Sequence, residues 1–112
     1  MIAGFGNDLL SNAPGAEIDF EKTPTLPGVA TYLADQIPEC SQQNWTEYGH
    51  KVSQVTDEQR WILTDPQING GLLIAIEPGS AAEFEQAAYE NHLKLKAIGQ
   101  FVARRENVID VI

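Results

Sequence analysis

The sequence predicts an α/β (α+β) fold, a mixed β-sheet with helices mainly on one side, and three observations lead there. Apolar and acidic residues alternate over Ala16-Glu17-Ile18-Asp19-Phe20, and a stripe at helical spacing follows. Leu72-Leu73-Ile74-Ala75-Ile76 is apolar throughout and precedes a turn and a second helical pattern. Short alternating segments then run to the C-terminus. Strands interleaved with helices, and too few of either for two cores, suit one domain over residues 1–112.

Ile2 to Gly6 places two glycines around an aromatic, and Asn12-Ala13-Pro14-Gly15 reads as a turn. The stretch between them, Asn7 to Ser11, is too short to stand as a helix by itself. Alternation puts Ile18 and Phe20 on one face of an edge-like strand. Leu26, Val29, Ala30, Leu33, Ala34 and Ile37 form one helical stripe, capped by Thr25, with Pro27 in its first turn and Pro38 ending it. The polar stretch 39–50 reads as an ordered loop, and His50 to Val55 as a short strand. Thr56 followed by Gln59 spells a capping box for a short helix carrying Trp61 and Ile62.

Leu72 to Ile76 has the composition of a strand covered on both faces, and Pro78-Gly79 turns the chain. Ser80 and Glu83 spell a second capping box, with Ala81, Phe84, Ala88 and Asn91 along one side of the helix. Leu95 and Ala97 alternate with Lys94 and Lys96, a strand with one wet face that continues through Gln100 to Ala103. Its predicted hairpin partner is Val108 to Ile112. A β-helix-β unit at 72–98 would be right-handed if its strands are parallel neighbours.

Charge narrows the function classes. The net charge is −9, with seven acids against Lys22 alone in residues 1–50 and nine acids against six bases beyond. No basic stripe offsets this, so nucleic acid is not an expected partner. No run approaches the roughly 18 apolar residues of a membrane span, and no basic segment precedes an apolar one near Met1; neither membrane nor secretion is predicted. A single cysteine, Cys40, excludes an internal disulfide and a four-thiolate metal site, and suits a reducing cytoplasm.

The residues best placed for chemistry lie in Thr64-Asp65-Pro66-Gln67-Ile68-Asn69-Gly70-Gly71. A proline restricts the backbone after a carboxylate, and two glycines permit close approach before an apolar segment. Asp65 can face a metal or a donor, and the Gln67 and Asn69 amides can meet a polar ligand, although the same pattern also serves as an ordinary tight connection. Gly4-Phe5-Gly6 can admit a phosphate to backbone N–H groups or serve the backbone alone. His50 and His92 lack ligand-spaced partners and read as surface or structural residues. The serines show no nucleophile elbow, Asp19 and Glu21 no opposing acidic strand, and Trp45 with Tyr48 reads as core anchoring before recognition. No catalytic set and no metal set is predicted for the chain alone.

Leu63-Thr64-Asp65-Pro66-Gln67-Ile68-Asn69-Gly70-Gly71-Leu72-Leu73-Ile74-Ala75 resembles the Asp-Pro-Gln-Thr-Ser-Gly-Gly segment of the selenide, water dikinase (selenophosphate synthetase) family. The order around it agrees. Ala3-Gly4-Phe5-Gly6 resembles the family's Thr-Gly-Phe-Gly, and Ala16 to Phe20 its following strand. Leu26-Pro27-Gly28 resembles the start of its next helix, and Asn44 the asparagine closing a Gly-Gly-Thr-x-x-Asn run. Tyr48-Gly49-His50 and Ala97-Ile98-Gly99 resemble later segments.

The resemblance implies a truncated C-terminal domain of the aminoimidazole ribonucleotide synthetase-like (PurM-like) superfamily. Enzymes of the family convert ATP, selenide and water to selenophosphate, AMP and phosphate with magnesium. Their phosphate and metal sites lie mainly on an N-terminal domain, which also supplies a cysteine or selenocysteine and a lysine. Activity is therefore not expected of this chain alone, and ATP and magnesium are expected only with an N-terminal half.

Asn44, Asp65, Gln67, Asn69, Gly70, Gly71, Gly4 and Gly6 are the positions expected to shape an interdomain cleft. Ile68-Asn69 stands where threonine and serine are usual, Ala3 replaces a threonine, and Glu39-Cys40 occupies the place of paired glycines. The expected role is a non-catalytic structural or partner-binding domain, alone or as a homodimer. The alternative is the C-terminal half of a split dikinase.

Overall fold

The computed structural model of the protein describes residues 14–66 and 72–112. These gather into two compact units, one holding residues 14–66 and 98–112, the other residues 72–97. The described residues form an α+β fold with a small mixed sheet and four α-helices.

In the first unit, strand β1 (Gly15–Ile18) lies between β2 (Gly99–Val102) and β3 (Ile109–Val111). β2 runs antiparallel to β1 with Glu17 opposite Gln100, and β3 runs parallel to it with Glu17 opposite Asp110. β1 is thus the central strand, not the edge expected from its alternation, and Phe20 lies beyond it in a 3-10 turn, Phe20–Lys22. Alternation reports which face each side chain takes; it is silent on which strands arrive at either side. Gly99 permits the β1–β2 approach, because the Glu17 carbonyl oxygen occupies the place where a Cβ at 99 would stand.

The expected hairpin between the last two strands is absent: β2 and β3 pair with β1 on opposite sides and not with each other. Their connection passes close to Gly15, where a Cβ would lie 3.3 Å from the Val108 carbonyl oxygen. The expected strand at 50–55 is reduced to one parallel bridge, Val52 with Ile109, after a 3-10 turn at Gly49–Lys51. The Ser53 hydroxyl accepts from the Val111 N–H at 2.9 Å, so a side chain takes the place of the next ladder bond.

Helix α1 (Val29–Asp35) is shorter than its apolar stripe. Gly28 precedes it at φ 82°, so the Thr25 cap does not form, and Leu33 is its buried residue while Leu26 is exposed. Helix α2 (Glu39–Tyr48) replaces the expected loop. Pro38 stands at its N-cap with Glu39 in the first turn, where a carboxylate suits the positive end of the helix. Helix α3 (Asp57–Leu63) begins as predicted: Gln59 N–H donates to Thr56 Oγ1 at 3.2 Å, and Thr56 N–H donates to Gln59 Oε1 at 2.9 Å. Both α1 and α2 pack on α3. Val52, Leu63 and Ile109 form the buried centre, with Ile18, Phe20, Trp45 and Tyr48 packed around it.

In the second unit, helix α4 (Ala81–Glu90) follows a 3-10 turn at Pro78–Ser80. The Ser80–Glu83 capping box is not made, because Ser80 has φ −104° and ψ −1° and already belongs to the preceding turn. A capping serine needs extended backbone to aim its oxygen back at the first turn. Asn91 closes the helix, its Nδ2 donating to the Ala87 carbonyl at 2.8 Å. His92 adopts φ 61°, and Leu93 N–H donates to the Ala88 carbonyl at 2.9 Å, a left-handed helix ending usually given to glycine.

The strands expected at Leu72–Ile76 and Leu95–Ala97 are not formed, so the predicted β-helix-β unit is absent. Leu72 is 87% exposed. An apolar run makes burial favourable, but a strand also needs a neighbouring edge for its backbone groups. Among the described residues, no helix is long and apolar enough to cross a membrane.

Candidate functional site

Helix α2 turns one face inward at Ser41, Asn44, Trp45 and Tyr48, the i, i+3, i+4, i+7 spacing of a single helix side. The face has two halves. Trp45 and Tyr48 pack on the core, as the sequence suggested. The Arg60 guanidinium lies 4.8 Å from the Trp45 ring centre and 5.4 Å from that of Trp61. Gly49 leaves room for the indole, because a Cβ there would come within 2.6 Å of it. The other half is polar: Ser41 is fully buried, and Asn44 Nδ2 donates to the Thr64 carbonyl at 3.1 Å.

That carbonyl belongs to the residue closing α3. Thr64 is 2% exposed, and its Oγ1 donates to the Arg60 carbonyl at 2.8 Å. Asp65 N–H donates to the Ile62 carbonyl at 3.4 Å, and Asp65 is half-buried beside exposed Pro66. Two of the predicted site residues, Asn44 and Asp65, are therefore brought to one place, on either side of the Asn44–Thr64 bond. Gln67, Asn69, Gly70, Gly71, Gly4 and Gly6 lie outside the described residues, as do the Gly4-Phe5-Gly6 segment, residues 7–11 and the Asn12-Ala13 part of the predicted turn.

Ser41 and Thr64 were not among the predicted site residues. The periodicity of 41–48 is the signal for Ser41, masked by the polarity of that stretch. Thr64 is a plain helix end until Asn44 is placed against it. The Ser41 hydroxyl has no hydrogen-bond partner among the described residues.

The remaining candidates are dispersed. Cys40 is a free, exposed thiol in the first turn of α2. His50 is exposed in the turn after α2, and His92 is exposed in the second unit. Asp19 pairs with Lys22 at 2.6 Å, a hydrogen bond that lowers its pKa, and Glu21 belongs to the 3-10 turn beyond β1. Among the described residues, no three His, Cys, Asp or Glu side chains gather in one place.

A second polar cluster crosses the sheet. Gln100, Glu17 and Asp110 form one row over β2, β1 and β3. Arg105 Nη1 donates to Glu17 Oε1 at 2.6 Å and to Asp110 Oδ2 at 3.3 Å, while Gln100 Nε2 donates to Glu17 Oε2 at 3.0 Å. The hydrogen bonds from Gln100 and then Arg105 hold the Glu17 carboxyl below the usual range. Glu17 in turn raises the Arg105 pKa. This row ties three strands together. The α2–α3 edge is different: there the Asn44 amide, the buried Ser41 hydroxyl and Asp65 lie close to the end of α3.

No protein-family model matches the chain. Individual relatives match nearly all of it. The chain is 41% identical over 118 aligned residues to the selenide, water dikinase of Pseudomonas putida, covering 99% of this chain and 34% of that protein. The Bordetella bronchiseptica selenide, water dikinase is 39% identical over the same coverage. That of Sulfurimonas denitrificans is 45% identical over 98 residues, 87% of this chain and 29% of the relative. The chain thus spans about a third of the length of these relatives.

Proposed function

The chain belongs to the selenide, water dikinase family, and from that premise we propose that it is a non-catalytic, partner-binding domain equivalent to the C-terminal part of a selenophosphate synthetase. The observation that carries this reading is the α2–α3 edge, where Asn44 holds the Thr64 carbonyl and Asp65 follows at once. Such an edge binds and orients; chemistry on ATP and selenide falls to the part of the family's chain that this one does not match. ATP and magnesium belong to that other part. The fold is read as that of the aminoimidazole ribonucleotide synthetase-like (PurM-like) superfamily, and the setting as cytoplasmic. The partner is a synthetase N-terminal half, with a second copy of this chain as the competing occupant. The net charge of −9 disfavours nucleic acid.

A second reading, the C-terminal half of a split selenide, water dikinase, draws on the retained Asp65-Pro66-Gln67 and Gly70-Gly71 of the sequence. One experiment addresses both readings: mix the 112-residue chain with an N-terminal synthetase half and measure selenide-dependent AMP formation. Activity in the mixture and none in either part establishes the split enzyme. A complex seen by light scattering without activity supports the binding domain. AMP formation by the chain alone refutes both.

A further inference from the structure

The Asn44–Thr64 bond joins residues 20 apart in sequence, one from the middle of α2 and one closing α3. The last carbonyls of a helix have no partner within it, and the Thr64 carbonyl belongs to a residue only 2% exposed. Among the described residues, the Asn44 amide is the side-chain donor to it. Proline at 66 disfavours helical backbone at 65, so the direction of the chain at Asp65 follows from how Thr64 is held. Thr64 is held three ways. Its N–H reaches the Arg60 carbonyl at 3.1 Å, its hydroxyl reaches the same carbonyl, and its own carbonyl accepts from Asn44. The first two fix Thr64 to its own helix; among the described residues, only the third refers it to a different element.

We infer that Asn44 is a positioning residue, whose amide holds the Thr64 carbonyl so that Asp65 leaves α3 in one direction toward whatever the edge binds. This rests on the proposed function for what Asp65 meets, but the positioning itself does not. The chemistry needed is a donor of this length at this place. Aspartate has the same shape as asparagine, yet its carboxylate would turn lone pairs toward the carbonyl, whereas alanine leaves the carbonyl without a partner. A side chain acting only by filling space would rank these two replacements the other way.

The test is amide hydrogen exchange by NMR on the whole 112-residue chain, comparing wild type with Asn44→Ala and Asn44→Asp. Exchange at Thr64 and Asp65 is expected to rise about tenfold in Asn44→Ala, and at least as much in Asn44→Asp, while Val52 in the core stays within about twofold. Wild-type exchange in Asn44→Asp with loss in Asn44→Ala would show a packing role and overturn the inference. So would a proportional rise at every amide, which reports general destabilisation, or no change at residues 64 and 65. If the wild-type chain neither binds an N-terminal half nor supports AMP formation with it, the proposed function fails, and the exchange result still decides the role of Asn44.

Discussion

Thr56 and Ser80 stand before helices of this chain, each with a hydrogen-bonding side chain three residues on, yet their helix starts are built differently. Thr56 is extended, at φ −70° and ψ 164°, and exchanges two hydrogen bonds with Gln59. Ser80 has helical backbone and makes no side-chain cap bond. The difference lies in what precedes each. Residues 53–55 leave the Val52–Ile109 bridge without helical structure, so Thr56 arrives extended. Pro78-Gly79-Ser80 is already a turn of 3-10 helix and runs straight into α4. A capping motif therefore names the partners, and the approach of the chain decides whether their geometry is reached.

The contrast extends to what each helix buries and can be broken at several strengths. The largest effect is expected in the cores: Leu63→Ala on α3, at a side chain 5% exposed, should cost about 2–5 kcal/mol in urea unfolding. Tyr89→Ala on α4, 73% exposed, should stay within about 0.5 kcal/mol. Equal losses would mean that the two helices are anchored alike. Next come the starts themselves. Thr56→Ala should cost about 1 kcal/mol, and Ser80→Ala no more than a few tenths, because it removes no cap bond; the reverse order in thermal unfolding would show that Ser80 caps in solution.

The smallest effect separates the sheet from both helix starts. The native pKa of Glu17 is depressed, so its contribution to stability is full above the ordinary glutamate value of about 4.3 and is lost as pH falls through the native value. Arg105→Gln should flatten that acid-side loss and weaken its salt dependence, and the effect should be modest because Arg105 is 55% exposed. An unchanged slope of stability between neutral and acid pH would remove Arg105 from the account.

Parts of the fold were legible wherever a local pattern suffices. The β1 alternation, the start of α3 and the core placement of Trp45 and Tyr48 follow from side chains within a few positions of one another. The α2 face was missed: Ser41, Asn44, Trp45 and Tyr48 have helical spacing, but their polar surroundings made residues 39–50 read as a loop. Of the candidate site, Asp65 was named from the Asp-Pro-Gln segment itself and Asn44 from the resemblance, and their meeting point was not. Thr64 links them through its backbone carbonyl, a group every residue possesses, so no feature of its side chain advertises the bond.

The sequence by itself determined the family, the acidic balance and the helix start at Thr56, because each depends on residue identity or short-range spacing. Tertiary structure alone decided that β1 is central, that β2 and β3 flank it, that Leu72–Ile76 is not a strand, and that Asn44 closes on Thr64. Those outcomes depend on which backbone donors and acceptors meet across long stretches of chain, and backbone groups are the same at nearly every position.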